Sequence, residues 1–470
     1  MIFNSLEFLV FAILFFLLWP LFRRKDNSRW GFIVIASFVF YGWWDWRFLF
    51  LIVASGLIDY LCGSLIMSRP SKKKVFLILS LVGNLGSLSI FKYSSFFAKI
   101  LEDVFLVFSL KVDLGNTIPE FALILPVGIS FYTFQSLSYT IDIYKGNLKP
   151  TKNILHFFSY LSMFPQLVAG PIVRARDFLY QLETYKIPTS IQKWNGVKLI
   201  VYGLFQKMVI ADNLSFLIDS AFENKSPYDS SLFWWVVMLG FSFQIYADFS
   251  GYSLIARGLA KLMGYHFKMN FNHPYISKSL REFWTRWHIS LSSWFRDYVY
   301  IPLGGSRKGK WMSITFLSIT MLLSGLWHGA NYTFIIWAAL HAFFLAFERI
   351  TKWPKRINKF YGISIIIVFV QALLGWVYFR ASDVSQANLI VFKLFSFQFS
   401  DLHFLTHYFN SVVVVLLAVI VESLIFIRKT NRKAAIWFKK GNFDVFLVSL
   451  GIVAILMFRG EGKQFIYFQF

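Results

Sequence analysis

Two histidines are the residues of this chain best suited to proton transfer near neutral pH. His288 and His328 lie forty residues apart in otherwise apolar surroundings. Helical spacing places Thr320 and Ser324 on the face of His328, and we expect Asn331 to continue this polar track. The alternative for the Ser and Thr is hydrogen bonding between helices. An ionisable group inside a membrane is by default a functional hypothesis, so we expect His328 to be catalytic.

General-base catalysis is the chemistry that fits His328. An unperturbed histidine has a pKa of about 6.5, so it can be neutral and take a proton from a hydroxyl. We hypothesise that an acyl thioester from the cytoplasm and a hydroxyl from outside meet at this residue. We expect Trp327 to line the substrate path together with Thr320, Ser324 and Asn331. Because no nucleophile elbow is present, direct transfer is simpler than an acyl-enzyme.

The segment 281–298 predicts one amphipathic helix. Its aromatic and apolar residues recur every three or four positions, and His288 belongs to that face. We expect the helix to lie along the cytoplasmic interface, with His288 at the inner mouth of a tunnel and supporting His328. The alternative is an interfacial histidine bonded to a neighbouring carbonyl. His341 lacks a polar track, which indicates support or packing.

The composition predicts that membrane helices position these residues. Of 470 residues, 57% are hydrophobic and 15% charged, and the mean hydropathy is +0.56. Long apolar runs recur, so we expect an all-α multi-pass integral membrane protein. The net charge of +23 falls mainly in short loops between apolar runs, which is the positive-inside bias rather than a sign of nucleic-acid binding. Cys62 is the only cysteine, so an intrachain disulfide is excluded.

The apolar runs predict about eleven to twelve spans in one domain over residues 1–470, with the motif histidines in a core at about 131–350. Residues 153–172 have basic residues on both sides, which favours a re-entrant segment. We expect the span at 232–262 to be broken near Asp248, Gly251 and Gly258. Residues 311–350 form a hairpin of two spans. The basic loop at 428–440 is expected on the cytoplasmic side.

Two other patterns are weak. Residues 304–310 match GxxxxGK, but Trp311 replaces the Ser or Thr that would hold magnesium, and no strand precedes them, so a P-loop is excluded. His403 and His407 have i, i+4 spacing near Asp401, yet surface histidines are the better interpretation. We therefore expect no metal site.

Six sequence blocks carry a resemblance to a known family. They are FYTFQSLSYTIDIY (131–144), FPQLVAGPIVR (164–174), IYADFSGYS (245–253), EFWTRWHISLSSWFRDYVYIPLGG (282–305), LWHGANYTF (326–334) and FIYFQF (465–470). In this order they are similar to the membrane-bound O-acyltransferase superfamily, and specifically to its bacterial alginate O-acetyltransferase branch.

The resemblance implies a ring of tilted helices around a central tunnel, with re-entrant and interfacial helices. The histidine of the family's WHG motif is catalytic and corresponds to His328, while His288 corresponds to the second motif histidine. Asp248 and Asn270 also lie in sequence that is similar to the family, but we assign no chemical role to them. Leu254 stands where the branch commonly has an acidic residue. If that carboxylate helps to shape the inner face, donor binding differs here.

The resemblance further implies acetyl transfer from a cytoplasmic donor, acetyl-CoA, toward an exported polysaccharide, with no bound cofactor. It implies a bacterial inner-membrane location among lipids and an SGNH-type partner outside the cytoplasm. Two alternatives remain open. The same fold could transfer another acyl group from a carrier protein, as in D-alanylation of teichoic acids, or the protein could be a transporter of polysaccharide or lipid-linked sugar.

Overall fold

Helices account for the regular structure of the protein. A computed structural model describes residues 1–167, 170–357, 359–399, 402–430 and 441–466, and no β-strand occurs among them. Asp401, most of the basic loop predicted at 428–440 and the last four residues of the terminal block lie outside this description, as do residues 168 and 169 of the block at 164–174.

The helices, in chain order, are α1 (Leu6–Phe22), α2 (Asp26–Asp45), α3 (Leu49–Ser68), α4 (Lys73–Leu88), α5 (Ser94–Val107), α6 (Glu120–Leu123), α7 (Ile129–Tyr144), α8 (Ile154–Leu161), α9 (Phe164–Leu167), α10 (Ala175–Glu183), α11 (Ser190–Leu204), α12 (Asp212–Phe222), α13 (Ser231–Met263), α14 (Leu280–Arg286), α15 (Ile289–Phe295), α16 (Ile301–Leu303), α17 (Lys310–His328), α18 (Tyr332–Thr351), α19 (Trp353–Arg356), α20 (Tyr361–Arg380), α21 (Val384–Phe395), α22 (Phe404–His407), α23 (Phe409–Thr430) and α24 (Gly441–Phe458).

The helices pack into two compact units. The first unit comprises Met1–Gly196 and Ala256–Lys268, and the second comprises Val197–Ile255 and Met269–Phe470. Helices α11 and α13 each contribute residues to both. All six candidate site residues belong to the second unit, whereas the single domain over residues 1–470 stays a prediction.

Six helical stretches are long and apolar enough to cross a membrane. They are Asp26–Ser68, Pro70–Val107, Ser231–Met263, Lys310–His328, Tyr332–Thr351 and Tyr361–Arg380. Shorter apolar helices include α1 and parts of α21, α23 and α24. Since about 20 apolar residues span the hydrocarbon core, this pattern is that of a multi-pass membrane protein.

Helices α3, α4 and α7 of the first unit meet around a buried carboxylate. Asp59 is fully buried and accepts hydrogen bonds from Asn84 Nδ2 at 2.9 Å and Thr140 Oγ1 at 2.9 Å. The hydroxyls of Ser80 and Ser136 donate to the same carboxylate. A polar group in an apolar interior is costly unless it is hydrogen-bonded, and these four donors fix how the three helices pack.

The break expected within residues 232–262 is wrong. Helix α13 runs without interruption for 33 residues. Its glycines allow close packing instead: a Cβ on Gly251 would lie 2.7 Å from the carbonyl oxygen of Gly203 in α11. Neighbouring helices exclude larger side chains at such positions, so glycine here marks a contact rather than a helix end.

The apolar segment 153–172 does not form one helix. It contains α8, of 8 residues, and α9, of 4 residues, and a helix rises only about 1.5 Å per residue. Neither is long enough to cross a bilayer. The re-entrant placement of this segment stays a prediction.

Candidate active site

His328 is the last residue of α17 and is enclosed by aromatic rings. Its side chain is 3% exposed. The ring centroids of Trp327, Trp337 and Phe379 lie 4.9, 5.0 and 5.3 Å from that of the histidine, all edge to face. These rings come from α17, α18 and α20. The imidazole therefore sits in a largely apolar enclosure built by three helices.

The turn after His328 lets α17 and α18 pack closely as a hairpin. A Cβ on Gly329 would overlap the ring of Phe334, and one on Gly325 would lie 2.6 Å from the Phe334 carbonyl oxygen. Asn331 immediately precedes α18, and its side-chain oxygen accepts a hydrogen bond from the Thr333 amide at 3.2 Å. This is an N-cap interaction.

The expectation that Asn331 continues the polar track is therefore wrong. Helix α17 ends at His328, three residues before Asn331. Helical spacing therefore does not place Asn331 on the face that carries His328. Asn331 Nδ2 instead donates to the Ser382 carbonyl at 2.9 Å. Thr320 and Ser324 do share the α17 face with His328 and are buried, and the Thr320 hydroxyl donates to the Phe316 carbonyl of its own helix at 2.6 Å.

The single amphipathic helix predicted for residues 281–298 is also wrong. The segment forms α14 and α15, separated at Trp287 and His288, and continues as a π-helical turn over Arg296–Tyr300. His288 has φ 42° and ψ 54°, the left-handed conformation that non-glycine residues rarely adopt. The backbone turns there, and the His288 side chain is fully buried.

Asn270 fixes the orientation of His288. The Asn270 Oδ1 atom accepts hydrogen bonds from the Ser290 amide at 3.1 Å and the Ser290 hydroxyl at 2.8 Å, and it lies 3.3 Å from His288 Nδ1. Because an amide oxygen only accepts, Nδ1 carries the ring proton and Nε2 is the basic nitrogen. Ser253 Oγ in turn accepts from Asn270 Nδ2 at 3.2 Å.

Burial keeps His288 neutral. The pKa of His288 is lowered to about 3, chiefly because its enclosed site disfavours the charged imidazolium. It is therefore a weak base. The sequence predicted a helix along the cytoplasmic interface with His288 at the inner mouth of a tunnel, and the structure places the His288 side chain in the protein interior.

Trp327 brings the two histidines together. Its ring centroid lies 6.0 Å from that of His288 and 4.9 Å from that of His328. The sequence predicted both histidines and the tryptophan separately, as points along a path, and the structure joins them in one cluster. The cluster extends to His341, whose ring centroid is 5.0 Å from Trp337.

Three members of this cluster were not predicted from the sequence. Asn270 received no role, although it lies in family-like sequence outside the six quoted blocks, and Trp337 has a weak local signal because it precedes His341 by one helical turn. Phe379 has no signal near either histidine, since it reaches His328 only through the packing of α20 on α18.

Neither the GxxxxGK match at 304–310 nor the pair His403 and His407 forms a binding site among the described residues. Residues 304–309 form a turn between α16 and α17, and Lys310 begins α17, with no strand before the turn in the described chain. Within the described residues no group of three or more His, Cys, Asp or Glu side chains could hold a metal ion. The expected absence of a metal stays a prediction.

Comparison with known proteins gives the family. The model of the MBOAT, membrane-bound O-acyltransferase, family matches residues 148–382, half of the chain. The protein named probable alginate O-acetylase AlgI of Pseudomonas aeruginosa is 39% identical over 86% of this chain and 77% of its own length. This chain belongs to the membrane-bound O-acyltransferase family.

Other relatives within the family differ in their named activities. A peptidoglycan O-acetyltransferase of Helicobacter pylori is 34% identical over 76% of this chain and 71% of its own length. A teichoic acid D-alanyltransferase of Bacillus subtilis is 31% identical over 56% of this chain and 70% of its own length. The predicted family, its AlgI-like branch, the multi-pass helical fold and the O-acyltransferase activity are confirmed.

Proposed function

We propose that this membrane O-acyltransferase moves an acetyl group from a cytoplasmic donor, acetyl-CoA, to hydroxyls of an exported polysaccharide, with His328 as general base. The observation that carries the proposal is the enclosure of His328 at the end of α17, where aromatic rings of three helices exclude bulk water. An imidazole in such a site can remove a proton without competition from water.

In the proposed reaction, His328 takes the proton of the acceptor hydroxyl as its oxygen attacks the thioester carbonyl carbon. The carbon–sulfur bond then breaks, and the thiolate leaves with the proton that the imidazolium returns. Atoms and charge balance without an acyl-enzyme. Burial lowers the pKa of His288 and its ring contacts Trp327, which supports a positioning role for this residue.

The nature of the acyl group rests on similarity. The relatives named for O-acetylation cover more of this chain, at higher identity, than the relative named for D-alanylation. This favours acetyl transfer. The proposed location in the bacterial inner membrane and the SGNH-type partner protein rest on the sequence resemblance alone. The second candidate, transfer of D-alanine from a carrier protein, is supported by the D-alanyltransferase similarity. The mass of the group added to the acceptor separates the two.

The test is replacement of His328 by alanine, compared with His403→Ala at an exposed histidine. Loss of a general base typically lowers the rate by about 10²- to 10⁴-fold. We therefore expect His328→Ala to abolish measurable acetylation of the polymer at unchanged protein level, while His403→Ala retains it. Full acetylation by His328→Ala would contradict the assignment. Loss of polymer export itself in that variant would favour a transporter.

A further inference from the structure

Five buried hydrogen-bond donors of the first unit lie together without partners among the described residues. They are Trp19 Nε1, Arg23 Nε, Arg29 Nε and the hydroxyls of Tyr185 and Tyr265. The ring centroid of Trp19 lies 5.9 Å from that of Tyr185 and 6.4 Å from that of Tyr265, and the two tyrosine rings are 5.8 Å apart. The guanidinium carbon of Arg29 lies 4.9 Å from the Tyr185 ring centroid. We call these five side chains the donor cluster.

Four segments of the chain build the donor cluster. Trp19 and Arg23 lie at the end of α1, Arg29 at the start of α2, Tyr185 after α10 and Tyr265 after α13. Gly264 has φ 101°, and a Cβ there would lie 2.5 Å from the Lys186 carbonyl oxygen. This close approach, which glycine allows, brings the segment of Tyr265 against that of Tyr185.

The nearby acceptor atoms are already used by other donors. Arg29 Nη2 donates to Asp26 Oδ1 at 2.6 Å and to the Leu182 carbonyl at 2.7 Å. Arg29 Nη1 donates to the Arg23 carbonyl at 3.0 Å. The Leu182 carbonyl also accepts from Trp30 Nε1 at 3.2 Å. These bonds fix the Arg29 side chain but leave the donors of the cluster without an acceptor.

Contacts within the cluster do not replace the missing acceptor. The Tyr185 oxygen lies beside Arg23 and Trp19, and the Tyr265 oxygen lies beside Arg29. None of these contacts has hydrogen-bond geometry. Indole and guanidinium nitrogens can only donate, so the hydroxyl protons need an acceptor from elsewhere. Because buried polar atoms are normally paired, the cluster is suited to a group with several acceptor oxygens.

The charge around the cluster favours an anion. Its two guanidinium groups contact one carboxylate, that of Asp26, which is largely exposed to solvent. Arg24, Lys25 and Lys186 are exposed nearby in the sequence and outnumber the neighbouring Glu183. A phosphate group combines negative charge with several acceptor oxygens, and arginine side chains bind it through charge-assisted hydrogen bonds.

The position of the cluster points to a membrane lipid as the source of the phosphate. Leu14, Leu17 and Leu21 of α1 are exposed, as expected of a helix that contacts lipid tails. The basic residues 23–29 follow at the predicted cytoplasmic end of this helix. Trp and Tyr are enriched at that depth, and basic pockets between helices there bind lipid headgroups. Arg23 and Tyr185 are only half-buried, so the cluster opens to the surface between them.

We propose that the donor cluster binds the phosphate group of an anionic phospholipid from the predicted cytoplasmic leaflet, which enters between Arg23 and Tyr185. The phosphate oxygens accept hydrogen bonds from the two guanidinium groups and the tyrosine hydroxyls. Free phosphate shares this chemistry, so the test separates the two sources. The proposal does not depend on the proposed function, because the cluster lies in the first unit and the candidate catalytic residues lie in the second.

Lipid binding to the purified full-length protein tests the proposal. The probes are phosphatidylglycerol, phosphatidylcholine and inorganic phosphate, each titrated into delipidated protein in detergent, and native mass spectrometry counts the bound molecules. We expect phosphatidylglycerol to bind about tenfold more tightly than phosphatidylcholine, whose choline compensates the phosphate charge. Excess inorganic phosphate should displace little of the lipid, since it lacks the acyl chains that add apolar contact.

Two variants of the cluster and one matched control assign the binding to this site. Arg23→Gln should weaken phosphatidylglycerol binding by about tenfold and Tyr185→Phe by about threefold, because hydrogen bonds to a charged group are stronger when the donor is also charged. Arg24→Gln removes the same charge from an exposed side chain outside the cluster and should change binding by less than about twofold. Tyr185→Phe keeps the ring and its packing, so it tests the site even if Arg23→Gln does not fold.

Equal effects of Arg23→Gln and Arg24→Gln would reduce the binding to general attraction by basic residues and overturn the proposal. Binding of inorganic phosphate alone would assign the cluster to a free anion, and binding of neither phosphatidylglycerol nor inorganic phosphate would leave water as the occupant; each result would contradict a lipid site. A raised KM for acetyl-CoA in Tyr185→Phe would assign the cluster to the acyl donor instead. We expect that KM to be unchanged.

Discussion

At the residue scale, the surroundings of His288 set its protonation state. His288 is fully buried, and Asn270 holds its Nδ1 proton, so it stays neutral across the physiological range. Such a group binds a proton in the unfolded chain but not in the folded protein. The free energy of unfolding therefore depends on pH.

This linkage predicts a pH-dependent stability for His288. Its folded pKa, about 3, lies below the unfolded value of about 6.5, so the unfolded chain binds more protons below pH 6.5. Its contribution to the free energy of unfolding is complete above pH 6.5 and decreases as pH falls toward 3. Replacement by glutamine should remove this component. We expect the thermal midpoint of the unmodified protein to fall more between pH 7.5 and pH 5 than that of His288→Gln.

The difference between the two proteins isolates this histidine, because all other titrating groups are shared. Equal falls in the two thermal midpoints would show that His288 becomes protonated in the folded state. Measurement in one detergent and buffer series keeps the environment constant.

At the element scale, the α17–α18 hairpin sets the position of His328. Its geometry depends on small residues at the contact, where Gly325 lies against Phe334 and Ala338 and Gly329 lies against the Phe334 ring. Small residues let helix backbones approach closely in membranes. The catalytic candidate is thus placed by the turn that follows it.

Gly329→Ala should therefore destabilise the hairpin. The new methyl group overlaps the Phe334 ring, which must shift, and overpacking of this kind costs about 1–3 kcal/mol. We expect a lower thermal midpoint in detergent together with reduced acyl transfer.

Gly362→Ala is the matched control. A Cβ on Gly362, in α20, meets no atom within 4 Å, and alanine is the better helix former by about 1 kcal/mol. This variant should keep its activity and an equal or higher thermal midpoint. Equal midpoints for the two alanine variants would contradict the packing argument.

At the scale of the whole molecule, the distribution of charge predicts how the chain crosses the membrane. Residues 23–29, 69–74 and 307–310 carry the basic clusters expected in the cytoplasm, whereas residues 223–230 are expected outside. The single cysteine, Cys62, is 1% exposed, so it contributes little background to labelling with a thiol reagent.

Single cysteines introduced into a Cys62→Ala background test this topology. A cysteine at Lys225 should react with a membrane-impermeant maleimide in intact cells. A cysteine at Lys308 should react only after the membrane is permeabilised, because the two exposed lysines are predicted on opposite sides. Labelling of both positions in intact cells would overturn the predicted orientation.

The sequence by itself determined the class and the family, and it predicted the candidate site residues. The length of the apolar runs and the positive charge of the loops predicted helices that cross a membrane. A bilayer constrains both properties within each segment of the chain, so they can be recognised from a short stretch of sequence. The motif blocks predicted His328, His288 and Trp327, and the face shared by Thr320 and Ser324 followed from helical period within α17. These predictions depend only on residues that lie close together in the sequence.

Only the tertiary structure decided which residues meet. His288 lies in a left-handed backbone turn, so the helical period assumed across 281–298 failed at that residue, and the end of α17 removed Asn331 from the polar track. Asn270 and Phe379 reach the site from distant parts of the chain. Helical spacing describes one helix at a time, whereas burial, hydrogen bonding and charge pairing at this site are set by packing between helices.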